Sequence, residues 1–222
     1  MSTNKYRIFL IDEQPVFRLG MRHILEATGA YLVVGEASTG SEAISAMHIG
    51  GPPDLVIVDI SIPEGSGLEL IKRLRGLYPN LHCLVVSKHF GHLYTEHALR
   101  AGARGYLRKS ASRPAILSAV EKAVRGEIAL GEGATTKFFD SVYRREGQST
   151  SRYYQLSERE FEVFEMLGRG MKTGSIASAL TISTKTVERH QAGIKQKLGV
   201  PHMGELRRVA AVWMSGPSDR YL

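Results

Sequence analysis

The sequence predicts an α/β fold over residues 4–125, a linker over 126–151 and an all-α domain over 152–217. Three observations predict it. In the first half, short runs rich in β-branched residues alternate with longer stretches whose apolar residues recur at helical spacing, the mark of βαβ units. Several of those runs, such as Leu55-Val56-Ile57-Val58, are too continuously apolar to have a wet face, as in a parallel sheet covered on both sides. From Gly126 onward, glycines and the polar run Gln148-Ser149-Thr150-Ser151 break the pattern before four helix-like segments follow closely.

Taken in order, strands are expected at 6–12, 31–37, 54–59, 81–87 and 104–107, and helices at 15–28, 40–49, 68–78, 93–101 and 113–125. Right-handed crossovers then place helices on both faces of an open, doubly wound, five-stranded parallel sheet. The linker allows one helical fragment over 135–143. In the C-terminal part, Ser157 and Glu160 form a capping box, and Phe161, Phe164 and Leu167 repeat every three residues on a core-facing helix over 157–168. Helices over 172–180 and 183–198 follow, separated by the short break Thr181-Ile182, with Ser183 as N-cap of the second; a last helix covers 204–213.

Composition narrows the function. Apolar residues at 43% and charged residues at 23% exclude wholesale disorder and a coiled-coil rod. No apolar run approaches the roughly 20 residues of a bilayer span, and the N-terminus lacks the features of a signal peptide, so a cytoplasmic protein with no membrane partner is expected. The lone Cys83 excludes an intramolecular disulfide and reads as a buried, inert thiol. The net charge of +7 is densest at the C-terminus, where residues 152–222 hold 11 basic and 7 acidic side chains. An anionic partner is consistent with this, as is a plain solvated face.

Doubly wound sheets bind ligands at the carboxyl ends of their strands. There the sequence places Asp12 and Glu13 after the first strand, Asp59 after the third, Ser87 at the end of the fourth and Lys109 after the fifth. Carboxylates this close are normally kept ionised by a hard cation, and Mg²⁺ suits an all-oxygen set that leaves room for a phosphate. Asp59 would act as nucleophile on a phosphoryl group, Lys109 would pair with the acyl phosphate and Ser87 would donate its hydroxyl. His89, His92 and His97 lack an acidic or cysteine partner and read as solvated histidines, and Gly65-Ser66-Gly67 reads as a turn.

Ile11-Asp12-Glu13-Gln14-Pro15, Asp59-Ile60-Ser61-Ile62-Pro63 and Gly102-Ala103-Arg104-Gly105-Tyr106-Leu107-Arg108-Lys109 together resemble the receiver domain of two-component response regulators. The resemblance implies that Asp59 is the phosphoacceptor, that Asp12, Glu13, Asp59 and Ser61 form the acidic, Mg²⁺-binding pocket, and that Ser87 and Tyr106 switch on phosphorylation, with Lys109 stabilising the phosphoryl group. Glu13 departs from the family's usual second aspartate. Its extra methylene strains the near-octahedral geometry that Mg²⁺ demands, which leaves open a degenerate receiver that is never phosphorylated.

Two helices joined by a tight turn suit DNA, the second lying in the major groove. On that second helix Val187, Ile194 and Leu198 share one face; Lys185, Glu188, Arg189, Ala192 and Lys195 fall mostly elsewhere. Arg189 suits guanine, Glu188 cytosine, and Lys185, Lys195 and Lys197 phosphates; a helical bundle with a charged solvated face fits the spacing too. Leu156-Ser157-Glu158-Arg159-Glu160, Ile176-Ala177, and Ile182 to His190 through Lys197-Leu198-Gly199-Val200 resemble the DNA-binding domain of LuxR-type regulators. Joined to a receiver, this resembles the NarL/FixJ family. The resemblance implies a DNA-binding segment from Lys172 to Gln191, including Ser183, Thr184 and Thr186, and a final dimerising helix with Glu205, Val209 and Trp213. It further implies a partner histidine kinase, a homodimer on activation, and paired half-sites in promoters. A phosphorylation-independent regulator, a phosphatase using Asp59, and an interaction protein that has lost DNA binding remain as rival readings.

Overall fold

The structure is a computed structural model and describes residues 5–63, 66–88, 92–130 and 152–215. The described residues fall into two compact units, one up to Leu130 and one from Arg152 onward. In the first, β1 (Tyr6–Ile11), β2 (Tyr31–Ala37), β3 (Leu55–Val58), β4 (His82–Ser87), β5 (Gly105–Arg108) and β6 (Ala129–Leu130) form one sheet in the order β2-β1-β3-β4-β5-β6, every neighbouring pair parallel. Between them run α1 (Pro15–Glu26), α2 (Gly40–Gly50), α3 (Gly67–Leu77), α4 (His92–Ala101) and α5 (Arg113–Val124). The five expected strands are thus six. Residues 129–130 lie inside the segment expected as linker, and two residues are too few to show a period of two. β6 exists because β5 offers it a ladder: Ala129 N donates to Arg104 O at 2.7 Å, and a Cβ on Gly105 would collide with the Ala129 carbonyl oxygen.

Alternation along each strand divides the core between the two faces of the sheet. Ile8, Leu10, Ile57, Leu84 and Val86 pack with Met21 and Leu25 of α1 and Ile116, Val120 and Ala123 of α5. Phe9, Ile11, Val56, Val58 and Val85, equally buried, point to the other face, where α2, α3 and α4 contact one another in sequence. A sheet buried on both sides holds its strand ends rigidly. Three ladder bonds continue beyond the strands proper: Asp12 N to Ala37 O at 3.1 Å, Asp59 N to Ile11 O at 2.9 Å and Lys109 N to Ser87 O at 2.9 Å. The backbones of those three residues are therefore set by the sheet itself.

In the second unit a 3₁₀ turn (Arg152–Gln155) precedes α6 (Glu158–Gly168), α7 (Thr173–Leu180), α8 (Thr184–Leu198) and α9 (Met203–Ser215). The capping box forms as expected, with Ser157 N donating to Glu160 Oε2 at 2.6 Å and Glu160 N to Ser157 Oγ at 3.4 Å. α6 packs against both α8 and α9, and Phe161, Phe164, Leu167, Val187, Ile194, Leu198, Leu206 and Ala210 fill the core. The turn between α7 and α8 pivots on Thr181, whose φ of 55° is left-handed, an uncommon conformation for a β-branched residue. Ser183 then caps α8, its Oγ accepting from Thr186 N at 3.0 Å. The helical fragment expected over 135–143 lies outside the described residues. No helix among the described residues is long and apolar enough to cross a membrane.

Gly67 N donates to Ile60 O at 2.8 Å, and a Cβ on Gly67 would strike the Asp59 carbonyl oxygen and lie 2.9 Å from Ile60 Cα. Both neighbours are backbone atoms that cannot rotate away. Gly67→Ala is therefore expected to lower stability by about 1–3 kcal/mol, read as a lower urea midpoint.

Candidate functional site

The strand order reverses at β1, and the crevice beyond the carboxyl ends of β1 and β3 is where such folds hold ligands. Asp12 and Asp59 stand there, 3% and 2% exposed. Lys109, from the end of β5, reaches past β4 to both: its Nζ lies 2.6 Å from Asp12 Oδ2 and 2.8 Å from Asp59 Oδ2. The same ammonium donates to Gln14 Oε1 at 3.3 Å and sits 4.5 Å from the centroid of the Phe17 ring. Asp12 Oδ1 accepts from Gln14 N at 2.8 Å, and Asp59 Oδ1 from Ser61 N at 3.2 Å. Burial pushes the Asp12 carboxyl above its usual range, although Lys109 and the Gln14 N–H pull it back; Asp59 pushes in the same direction as burial. For Lys109 burial acts downward, but the two carboxylates prevail and hold it above the usual lysine range.

Of the residues expected here, the structure unites Asp12, Asp59 and Lys109, with Ser61 supplying a backbone donor. Ser87 is fully buried at the end of β4, paired in register with Arg108, and Tyr106 lies 1% exposed within β5. Glu13 does not join. It is exposed, and among the described residues no three His, Cys, Asp or Glu side chains gather as a metal-binding group, so the expected cluster of three carboxylates is a pair. Glu13 stands past the end of β1, at a bend where Gln14 N folds back onto Asp12 Oδ1, and its side chain is exposed. Asp12 Oδ2 is buried and meets the Lys109 ammonium at 2.6 Å but no other donor among the described residues. Two carboxylates with an open lone pair are a donor set that fits Mg²⁺, which binds through one or two carboxylates and otherwise keeps water or phosphate.

Sequence reasoning missed the support behind this pair. Arg18 Nη1 donates to the Asp12 carbonyl oxygen at 2.5 Å and its Nε to Glu36 Oε2 at 3.0 Å, while Arg22 Nε donates to Glu36 Oε1 at 2.8 Å. Burial opposes the ionisation of Glu36, but the two guanidinium groups outweigh it and hold the carboxyl below its usual range. No local spacing reveals the link, because Glu36 reaches α1 only through the pairing of β1 with β2. Two smaller expectations resolve separately. Cys83 is buried and its thiol is pushed up to about 12, hence inert. His97, expected to be solvated, lies half-buried on α4, where burial, with Arg100 and Lys72 adding to it, brings its imidazole down to about 4.

In the helical unit α8 buries Val187, Gln191, Ile194 and Leu198 and exposes Lys185, Glu188, Arg189 and Ala192. Among the described residues none of Lys172, Lys185, Arg189 and Lys195 has an ion-pair partner; the first three are exposed and Lys195 is half-buried. Ser183, Thr184 and Thr186 form the first turn, the positive end of the helix dipole, with Ser183 Oγ and Thr186 Oγ1 2.8 Å apart. Two expectations need correction. Lys197, expected at a phosphate, is taken by Glu160, with Nζ 2.6 Å from Oε2, because α6 crosses the far end of α8. Trp213, expected on an outward dimer face with Glu205 and Val209, turns inward and meets Phe161 edge-on at 5.1 Å and 89°. Glu205 pairs with Arg208 at 2.7 Å and Val209 is half-buried, so α9 exposes Arg208 and Val212 instead. Gln191, unforeseen, donates to Thr173 Oγ1 at 3.3 Å and ties α7 to α8.

A doubly wound parallel domain with a lysine-bridged aspartate pair, joined in one chain to a helix-turn-helix domain, defines a class of signal-responsive regulator. Residues 8–121 match the response regulator receiver domain, and residues 154–210 match the bacterial regulatory proteins of the luxR family. The chain is 37% identical over 203 residues to the transcriptional activator protein ExaE of Pseudomonas putida, covering 91% of this chain and 94% of that one. It is 33% identical over 205 residues to the oxygen regulatory protein NreC of Staphylococcus carnosus, covering 90% and 94%. A crystal structure of a LuxR-family two-component response regulator from Aurantimonas shares 28% identity with a TM-score of 0.59, over 63% of this chain and 99% of that one. RcsB from Salmonella enterica serovar Typhimurium, at 23% identity and a TM-score of 0.62 over 94% and 99%, shares the fold. This chain belongs to the two-component response regulators that join a receiver to a LuxR-type DNA-binding domain, a family of transcriptional regulators.

Removing the bridging cation leaves two buried carboxylates uncompensated. Lys109→Met is expected to cost about 3–5 kcal/mol at neutral pH. The Asp12 carboxyl, already above its ordinary value, would move higher still. The folded state then binds more protons than the unfolded one, so the variant should recover stability as the pH is lowered from about 7 to about 5, measured by urea denaturation at each pH.

Proposed function

We propose that Asp59 accepts a phosphoryl group from a partner sensor histidine kinase and that the phosphorylated protein dimerises and binds paired half-sites in promoter DNA. The observation that carries this reading is the Asp12–Lys109–Asp59 bridge, two buried carboxylates held by one cation at the mouth of the switch-point crevice. Asp59 Oδ2 attacks the phosphorus of the kinase's phosphohistidine, the N–P bond breaks and the imidazole leaves, while the Asp59 backbone is held by the ladder bond to Ile11 and its other oxygen by Ser61 N. Forming the acyl phosphate removes the negative charge of the Asp59 oxygen that Lys109 had paired with. The ammonium then serves the phosphoryl oxygens. Ser87, at the end of the adjacent strand, donates its hydroxyl to the same group, and Tyr106 follows it. Asp12 and Asp59 would hold Mg²⁺, which neutralises charge on the phosphoryl oxygens, with Glu13 at the exposed rim.

On the DNA side, the exposed stripe of Lys185, Glu188 and Arg189 enters the major groove, while Lys172, Lys195 and the first turn of α8 approach phosphates. The protein acts by binding DNA rather than by turning over a substrate, and works in the cytoplasm.

Full-length protein with Mg²⁺ and beryllofluoride, a stand-in for the phosphoryl group, is expected to shift from monomer to dimer by light scattering, and an Asp59→Asn variant is not. A wild-type chain that stays monomeric would instead support a regulator independent of phosphorylation. Arg189→Ala is expected to lose about 1–3 kcal/mol of binding to a duplex selected by the wild type, with relaxed preference at one base pair. Unchanged affinity and preference would remove Arg189 from base reading.

A further inference from the structure

Residues 152–160 grip the far end of α8, away from the end that carries Arg189. Arg152 Nη1 donates to the Leu198 carbonyl oxygen at 3.1 Å. That carbonyl is one of the last four of the helix, which lack intrahelical partners and form the negative end of its dipole, so a guanidinium there answers both needs. Glu160 Oε2 takes the Lys197 ammonium at 2.6 Å together with Ser157 N at 2.6 Å. Burial raises the Glu160 carboxyl, but Lys197 and Ser157 overcome it, and the group stays below its usual range.

Two glycines mark how close these approaches are. A Cβ on Gly193, in the interior of α8, would lie 2.5 Å from Glu160 Oε1. A glycine weakens a helix interior relative to alanine, and here it leaves room for the Glu160 carboxylate. Gly199 ends α8 at φ +69°, and its Cβ would lie 2.8 Å from Arg152 Nη1. The last turns of the helix are thus held at two points by residues 152–160.

We propose that Arg152 and the Glu160–Lys197 pair are positioning residues for base reading, which set the angle of α8 without touching DNA. The inference rests on the reading of α8 as the helix that enters the groove. Arg189 lies about 13 Å from Leu198 along the helix, at 1.5 Å per residue. A tilt of about 5° at the clamp therefore moves the guanidinium by about 1 Å, enough to break a bidentate hydrogen bond to a base edge. A phosphate-contacting residue behaves differently. Its loss weakens all duplexes alike and lowers the slope of log affinity against log salt by about 0.9.

The test uses the full-length protein with Mg²⁺ and beryllofluoride, and two probes: a duplex selected by the wild type from a random pool, and a duplex of unrelated sequence. Arg152→Ala and Lys197→Met are compared with wild type and with Arg189→Ala over a range of salt. Emission from Trp213, the sole tryptophan, packed on Phe161 and Phe164, reports an intact domain in each variant. Each clamp variant is expected to lose about five- to tenfold in affinity for the selected duplex, the loss of one hydrogen bond or ion pair, while binding to the unrelated duplex and the salt slope stay unchanged. A lowered slope with equal losses on both duplexes would make these residues phosphate contacts and overturn the proposal. So would wild-type behaviour of both variants where Arg189→Ala has lost selectivity. If the wild type selects no duplex at all, the reading of α8 itself fails and the clamp has nothing to position.

Discussion

Two aspartates buried within reach of a single ammonium are the constraint on which the receiver depends. Carboxylates at 3% and 2% exposure cannot both remain ionised without a counter-charge, and Lys109 supplies it from a strand two places removed from β3. The reach demands a long side chain and a strand end fixed by the sheet. Parallel topology provides the second, since all six strands point their carboxyl ends to one rim. Ladder bonds that continue to Asp12, Asp59 and Lys109 then carry the precision of the sheet into the crevice. Apart from the Lys109 ammonium, Asp12 Oδ2 meets no donor among the described residues, so a second lone pair stays open in a rigidly placed carboxylate.

The helical unit meets a related demand with other means. Its reading face must stay polar and unpaired, so the position of α8 rests wholly on what lies behind and beyond it. Val187, Ile194 and Leu198 supply apolar packing; Gln191 supplies a bond to α7; and Arg152, Glu160 and Lys197 secure the last turns. Charge is thus divided along one helix: Lys197 is paired with Glu160 of the scaffold, while Lys185 and Arg189, nearer the other end, are exposed and have no ion-pair partner among the described residues.

Much of this was legible in the sequence because the signals are local. Strand and helix positions agree to within a few residues, since periodicity and caps such as Ser157 and Ser183 act over one turn or one strand. The aspartate pair and its lysine could be placed because a parallel sheet brings consecutive strand ends to one rim. The misplacements share one cause. β6 is two residues that pair only because β5 is there; Glu13 stands exposed at a bend past the end of β1; Trp213 and Lys197 were assigned to partners outside the domain when α6 contacts both.

The sequence by itself therefore determined the order of elements, the two-part architecture and the chemical kind of each site, because those depend on short-range pattern and on chain direction. Only the tertiary structure decided which charges are available. Arg18 of α1 meets Glu36 of β2, Arg152 meets Leu198, and Glu160 meets Lys197, in each case through contacts between residues at least 18 positions apart. A side chain's partner is set by the packing of elements in space, and packing at that range leaves no periodic trace in the chain.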